Sequence, residues 1–243
     1  RRNMENKAIF EKIKSYTELV RPFTLLAPLI VSVSIMIASF FYSNKTNIIQ
    51  NLIYIIIPAG IILAVLNGAS NTLNQITDLK TDKISKPYRP LPKKTVSIKE
   101  ALIITIFLYS ISITFSYFIN TTFFIFVTLI TFFTVTYSLP PRCKDRLFIN
   151  QIWVGIPRGL LGILAAWSVF SNPLLPLPLA IGIIAMVFLI GGSITKDITD
   201  SDADKKTGTK TLINTYGIKQ AALMAFPFMF FPFVFIPLLI DGM

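Results

Sequence analysis

From residue 22 onward the chain is a succession of apolar runs, each about long enough to cross a bilayer and parted by short polar links. Seven runs can be read, at 22–42, 52–77, 101–119, 122–138, 150–170, 174–195 and 219–240. Spanning ~30 Å of hydrocarbon takes roughly 20 predominantly apolar residues, and a single strand cannot satisfy its backbone there. The pattern therefore predicts an all-α membrane protein: a multi-span transmembrane helical bundle forming one domain over 1–243. Ahead of the first run, Ile9, Phe10, Ile13, Tyr16 and Val20 recur among charges at near-helical spacing. This predicts an interfacial amphipathic helix over 1–20 that leads into the first span at Arg21-Pro22. The segment is long and charged and lacks a small-residue cleavage site, so it does not read as a signal peptide. Prolines in Lys86-Pro-Tyr-Arg-Pro-Leu-Pro92 exclude a continuous helix from the longest loop, at 83–99.

Polar residues interrupt this pattern most pointedly at the ends of two runs. The second run closes on Asn74-Gln-Ile-Thr-Asp78-Leu-Lys-Thr-Asp82, and the sixth on Asp197-Ile-Thr-Asp200-Ser-Asp-Ala-Asp204. Of twelve acidic residues in the chain, six lie in these two stretches. Carboxylates are costly beside lipid, so such clusters point to a bound cation or a reaction. At ~100° per residue, Asn67, Asn71, Asn74, Asp78 and Asp82 fall on one face of a continuous helix. A hydrogen-bonding seam would explain Asn71 but not two carboxylates in register. In the second motif Asp197, Asp200 and Asp204 share a face with Ser193, whereas Asp202 points away and reads as a solvated surface residue. Oxygen donors of this kind suit Mg²⁺, two ions here, which in turn attract a diphosphate. Gly68-Ala69-Ser70 and Gly191-Gly192-Ser193 precede the two motifs, and small residues there would let helices approach closely around one cavity. Ordinary packing glycines explain them equally well.

The formal charge of +11 bears on topology before it bears on ligands. Twenty-one of the 23 basic residues fall in the N-terminal segment and in alternate loops, leaving Lys45 outside and Arg158 within a span. That split puts the N-terminus and both acidic motifs in the cytoplasm and disfavours a nucleic-acid partner. The single cysteine, Cys143, can form no internal disulfide. The absence of histidine excludes His-ligated metal sites and His-based triads. Arg158 sits about eight residues into its run, where a guanidinium needs an anionic partner such as phosphate. Tyr137, Arg142 and Lys144 follow the fourth run. With Arg21, Arg89, Lys196 and the polar Asn71 they complete the candidate diphosphate contacts, although membrane-surface anchoring accounts for the cations as well.

These motifs resemble those of the UbiA-type intramembrane prenyltransferases: the first acidic motif, the proline-rich loop behind it, the Tyr137…Lys144 segment, and Lys196-Asp197…Asp204. The resemblance implies a bundle around a central cavity open to the bilayer and capped by cytoplasmic loops. It also implies Mg²⁺-assisted transfer of an isoprenyl chain from a diphosphate, such as geranylgeranyl diphosphate, to a lipophilic acceptor. Asn74, Asp78 and Asp82 correspond to the family's first motif, Asp197, Asp200 and Asp204 to its second, and Tyr137 and Lys144 to its conserved loop. The family has nine spans where seven are counted here, so the expectation is that the last two are missing from this sequence. The acceptor stays open among quinone precursors, other aromatics and geranylgeranylglyceryl phosphate. Terpene cyclisation, and more distantly cation transport, remain alternatives.

Overall fold

A computed structural model describes residues 2–208, 210–234, 236 and 237, with the side chains of 2–5, 8, 196, 199, 200, 203, 204 and 207 outside that description. Among these residues every regular element is helical: α1 (Arg2–Val20), α2 (Leu26–Tyr42), α3 (Ile48–Asn51), α4 (Ile57–Thr77), α5 (Leu79–Ser85), α6 (Ile98–Ile119), α7 (Thr121–Ser138), α8 (Ile149–Gly155), α9 (Gly162–Trp167), α10 (Pro176–Thr207), α11 (Leu212–Tyr216) and α12 (Ile218–Val234). Among the described residues, six stretches are long and apolar enough to cross a membrane: Ile9–Tyr42, Ile48–Thr77, Ile98–Ile119, Thr121–Ser138, Ile149–Trp167 and Pro176–Thr195. Ile218–Val234, where the hydropathy pattern predicts a seventh span, is apolar but shorter over its described residues.

The bundle is built inside out relative to a water-soluble domain. Phe107, Phe118, Phe132 and Ile103 are 56–74% exposed on its outer surface, as suits side chains solvated by lipid. Its core is small and dense, with Met36, Ile56, Leu66, Phe123 and Val127 fully or almost fully buried between α2, α4, α6 and α7. Hydroxyls stitch these helices together: Thr105 donates to Thr72 at 2.8 Å, and Ser39 of α2 donates to the Trp167 carbonyl at 2.7 Å.

Two irregularities shape the functional end. The apolar pattern predicts one helix over 150–170 for the fifth span, but between α8 and α9 the chain runs through a π turn, Ile156–Leu161. Pro157 lies in that turn and has no N–H for an α-type bond, which favours the wider winding. Glycine then permits a close crossing. A Cβ at Gly159 would stand 2.4 Å from the Met186 Cα and N, and one at Gly155 would stand 2.6 Å from Ile190 Cγ1. The second irregularity is at Asp78, where helical phase predicts that the first motif continues one straight helix. Its φ of −100° and ψ of 12° separate α4 from α5. Thr77 bonds back to the carbonyls of Leu73 and Asn74, both at 3.2 Å, and such back-bonding bends helices. The ladder still bridges the bend, through Asp78 N to Asn74 O and Asp82 N to Asp78 O, both 2.8 Å.

Candidate functional site

The polar stripe of the second span divides between two tasks. Asn67, Asn71 and Gln75 turn toward the N-terminal helix: Asn67 donates to Thr24 O at 3.1 Å, Asn71 to Thr24 Oγ1 at 2.8 Å and Val20 O at 3.3 Å, and Gln75 to Leu19 O at 2.5 Å. These amides satisfy the carbonyls left open where α1 ends at Arg21, whose φ is 61°. Asn71, among the expected diphosphate contacts, is 4% exposed, and its amide N–H groups are engaged by Thr24 and Val20.

Asn74 and Asp78 face the other way and meet the segment after α7. Asn74 Oδ1 accepts a hydrogen bond from Ser138. Asp78 Oδ1 accepts from Lys144 Nζ at 2.5 Å and from Arg142 Nη2 at 3.4 Å, and Lys144 also donates to Thr77 Oγ1 at 2.8 Å. Arg142 is held in turn by Asp145 and by the carbonyls of Thr77 and Ser138. Burial pulls the Lys144 amine below its usual range, while Asp78 opposes that fall. Both Arg21 and Arg142 adopt left-handed backbone conformations, at φ 61° and 54°. Such conformations are uncommon for residues with a Cβ and tend to gather at functional sites.

One turn beyond Asp78, Asp82 is 2% exposed and accepts from Arg89 Nη1 at 2.6 Å. Burial pushes its carboxyl up, and Arg89 pulls it back. The proline-rich loop that carries Arg89 is anchored by Leu91 and Val96, which pack with Leu19 and Ala101. Arg21 lies close enough to Arg89 and Arg158 to be repelled by both, with Asp82 as the opposing charge. Arg89 thus pairs with the buried Asp82 carboxylate, and Arg21 lies near both.

The second motif rides on α10, which at ~1.5 Å per residue is roughly 48 Å long and continues past its membrane-spanning part. Asp197 is 7% exposed, whereas Asp202 is exposed. The side chains of Lys196, Asp200 and Asp204 lie outside the described residues. Helices α5 and α10 pack against each other, so the two motifs are neighbours. Among the described residues no three acidic, cysteine or histidine side chains cluster as a ready metal site. The oxygens present in the two motifs, from Asn74, Asp78, Asp82 and Asp197, are nevertheless the hard donors that Mg²⁺ takes.

Beneath the motifs, α4, α7, α8, the π turn and α10 enclose a cavity of about 230 Å³. Asn74, Tyr137 and Arg158 line it, so the π turn brings to the cavity the arginine that stood out in the apolar run. Tyr137 donates to Asn150 Oδ1 at 3.0 Å, and Trp153, also in the wall, donates to Thr136 Oγ1 at 2.9 Å. Gly192 lines the cavity, and a Cβ added there would meet no atom within 4 Å, while Gly191 packs its backbone against α12. Several members of this site carried no sequence signal of their own. Ser138, Thr77 and Thr134 look like ordinary membrane-helix hydroxyls until the helices are packed.

A model of the UbiA prenyltransferase family matches residues 23–243. The digeranylgeranylglyceryl phosphate synthase of Methanosphaera stadtmanae is 28% identical over 210 residues, 86% of this chain and 72% of the relative. The synthase of the same name from Methanococcus aeolicus is 30% identical over 218 residues, 90% of this chain and 74% of the relative. Among solved structures, a UbiA homologue from Archaeoglobus fulgidus bound to DMAPP and Mg²⁺ superposes with a TM-score of 0.72. It is 21% identical, and the match covers 90% of this chain and 75% of that one.

Proposed function

The chain belongs to the UbiA prenyltransferase family, and we propose that it transfers an isoprenyl chain from geranylgeranyl diphosphate to geranylgeranylglyceryl phosphate in the membrane. The observation that carries this reading is the joining of Asp78, Lys144 and Arg142 directly above a cavity lined by Asn74 and Arg158. Carboxylates and cations side by side at the mouth of an apolar bundle suit a divalent cation together with a polyanion, and neither an ion pathway nor a structural seam needs both. The synthase relatives favour the glyceryl phosphate acceptor over quinone precursors.

Asn74, Asp78 and Asp82 on one side, with Asp197, Asp200 and Asp204 on the other, are the proposed holders of two Mg²⁺ ions. Bound there, Mg²⁺ would neutralise the diphosphate and make it a better leaving group. Lys144, Arg142 and Arg158 bind the remaining diphosphate oxygens, and Arg158, as a planar fork, suits two at once. Arg21, Arg89, Tyr137 and Lys196 complete the polar surroundings. The allylic C1–O bond breaks with its electron pair leaving on the pyrophosphate. The acceptor's pair forms the new bond to C1, and the proton it loses passes to the pyrophosphate. The bundle's apolar walls keep water from the allylic cation. At about 230 Å³ the cavity is below the ~300–1,000 Å³ of most ligand pockets. It accommodates the reacting end of the substrate, and the hydrocarbon tail extends along the apolar helices toward lipid. Both motifs and the Lys144 segment face the cytoplasm in this reading, in keeping with the loop charges.

Product mass spectrometry tests the assignment. Purified protein in lipid, given Mg²⁺, geranylgeranyl diphosphate and geranylgeranylglyceryl phosphate, should form the doubly geranylgeranylated ether. A cyclised hydrocarbon formed without acceptor would overturn it in favour of a cyclase.

A further inference from the structure

The cavity contains a layer of hydroxyls for which neither a diphosphate nor a hydrocarbon tail has any use. Ser70, Thr134 and Ser193 all line it. Each lies one helical turn before a polar residue of the motif level on its own helix: Ser70 before Asn74, Thr134 before Ser138, and Ser193 before Asp197. All three helices, α4, α7 and α10, run toward that level, so the hydroxyls form a tier roughly 6 Å deeper in the bundle.

Counting protons gives this tier its character. Each hydroxyl has one proton to donate and two lone pairs to accept. Thr134 spends its proton on Thr131 O at 3.0 Å, and Ser193 spends its own on Ile190 O at 2.9 Å. Buried Tyr109 donates to Thr134 Oγ1 at 3.0 Å, so Thr134 takes a second bond from the wall. The protons of Thr134 and Ser193 are therefore committed to the wall, and what these two hydroxyls offer the cavity is lone pairs. Arg158 lines the same cavity and presents N–H donors to it, so the cavity offers a cation for an anionic group and, beside it, hydroxyl lone pairs.

We propose that Ser70, Thr134 and Ser193, backed by Tyr109, form a subsite that accepts a hydrogen bond from the nucleophilic hydroxyl of an alcohol acceptor and holds its oxygen toward C1 of the isoprenyl diphosphate. The assignment rests on the prenyl-transfer reading above and adds the group by which the acceptor is recognised. An acceptor without that O–H leaves the tier's lone pairs facing an ether or a hydrocarbon.

The test compares an alcohol acceptor, geranylgeranylglyceryl phosphate, with the same molecule capped as its methyl ether and used as a competitive inhibitor. Wild-type protein should bind the alcohol about tenfold more tightly than the ether, the order expected for one or two neutral hydrogen bonds. In Ser70→Ala/Ser193→Ala the ratio should fall toward one, and Thr134→Val should lower it separately. General loss of packing weakens alcohol and ether together and leaves the ratio near its wild-type value. A ratio unchanged from wild type overturns the proposal, whether turnover falls or not. If wild-type protein transfers nothing to any alcohol, the prenyl-transfer reading itself fails, and that outcome is visible before any variant is compared.

Discussion

Replacing Gly159 by alanine tests the packing that brings Arg158 to the cavity. An added Cβ would lie 2.4 Å from both the Cα and the N of Met186, and 2.8 Å from Ala185 C. Carbon contacts settle at about 3.5–4.0 Å, so the π turn and α10 must part by roughly 1 Å. The opposing atoms are backbone, and no rotamer change relieves them. Overpacking of this kind costs about 1–3 kcal/mol, which for a chain of this size lowers Tm by on the order of 5 °C. The same parting moves Arg158 relative to the helix carrying Asp197, and a 1 Å misplacement at a reacting centre costs about 100-fold in rate. Thermal unfolding in lipid nanodiscs and pyrophosphate release measure the two effects. Gly192→Ala is the internal comparison for folding, because a Cβ there meets nothing within 4 Å; its Tm should match wild type. A Gly159→Ala protein with unchanged Tm and turnover would refute the close crossing, as would a Gly192→Ala protein that loses equal stability.

Four further substitutions probe the charged groups. Asp78→Ala is expected to abolish Mg²⁺-dependent pyrophosphate release, while Asp202→Ala, on the exposed side of α10, should change it less than about twofold; equal losses would contradict the assignment of faces. Lys144→Met removes the ammonium that bonds Asp78 and Thr77 at 2.5 and 2.8 Å; losing one charge-assisted contact to the diphosphate, worth about 1.5–3 kcal/mol, should lower kcat/KM roughly 10- to 100-fold. Arg89→Met strands the buried Asp82 carboxylate, whose titration burial already raises. A carboxyl raised in the folded state stabilises folding below its unfolded pKa and loses that contribution as pH rises through the folded value. The Tm deficit of Arg89→Met should therefore grow from acidic to neutral pH, and a pH-independent deficit would show that Asp82 is not the stranded charge.

Membrane spans and acidic motifs are legible in this chain because lipid makes both expensive to misplace. Apolar runs of span length have few alternatives to a helix, and Asp78, Asp82 and Asp197 stand out against so few other acids. What stayed hidden depends on tertiary contact. Helical phase put Asn71 and Asn74 on one face, yet their amides serve opposite neighbours, because the returning end of α1 needs donors and Ser138 needs an acceptor. Asp78 meets Lys144 and Arg142 across 66 and 64 residues of chain, a pairing that no local spacing encodes. The π turn at Ile156–Leu161 was concealed inside an unbroken apolar run. Pro157 was its one local sign, and the Gly155 and Gly159 crossing that accommodates it shows only when α10 is in place. The hydroxyl tier was visible only in part: Ser70 and Ser193 stood out before the two motifs, but as small residues, since Ser and Thr in membrane helices usually bond to their own backbone. Thr134 and Ser193 do so here too, and only the cavity gives their remaining lone pairs a use.

The central claim is that these acids and cations assemble a Mg²⁺-dependent diphosphate site, and pyrophosphate release tests it most directly. Protein in lipid is given geranylgeranyl diphosphate with Mg²⁺ or with EDTA, each with and without geranylgeranylglyceryl phosphate. Release that requires both Mg²⁺ and the acceptor is the expected result. Release that survives EDTA, or that proceeds at full rate without the acceptor, would contradict it.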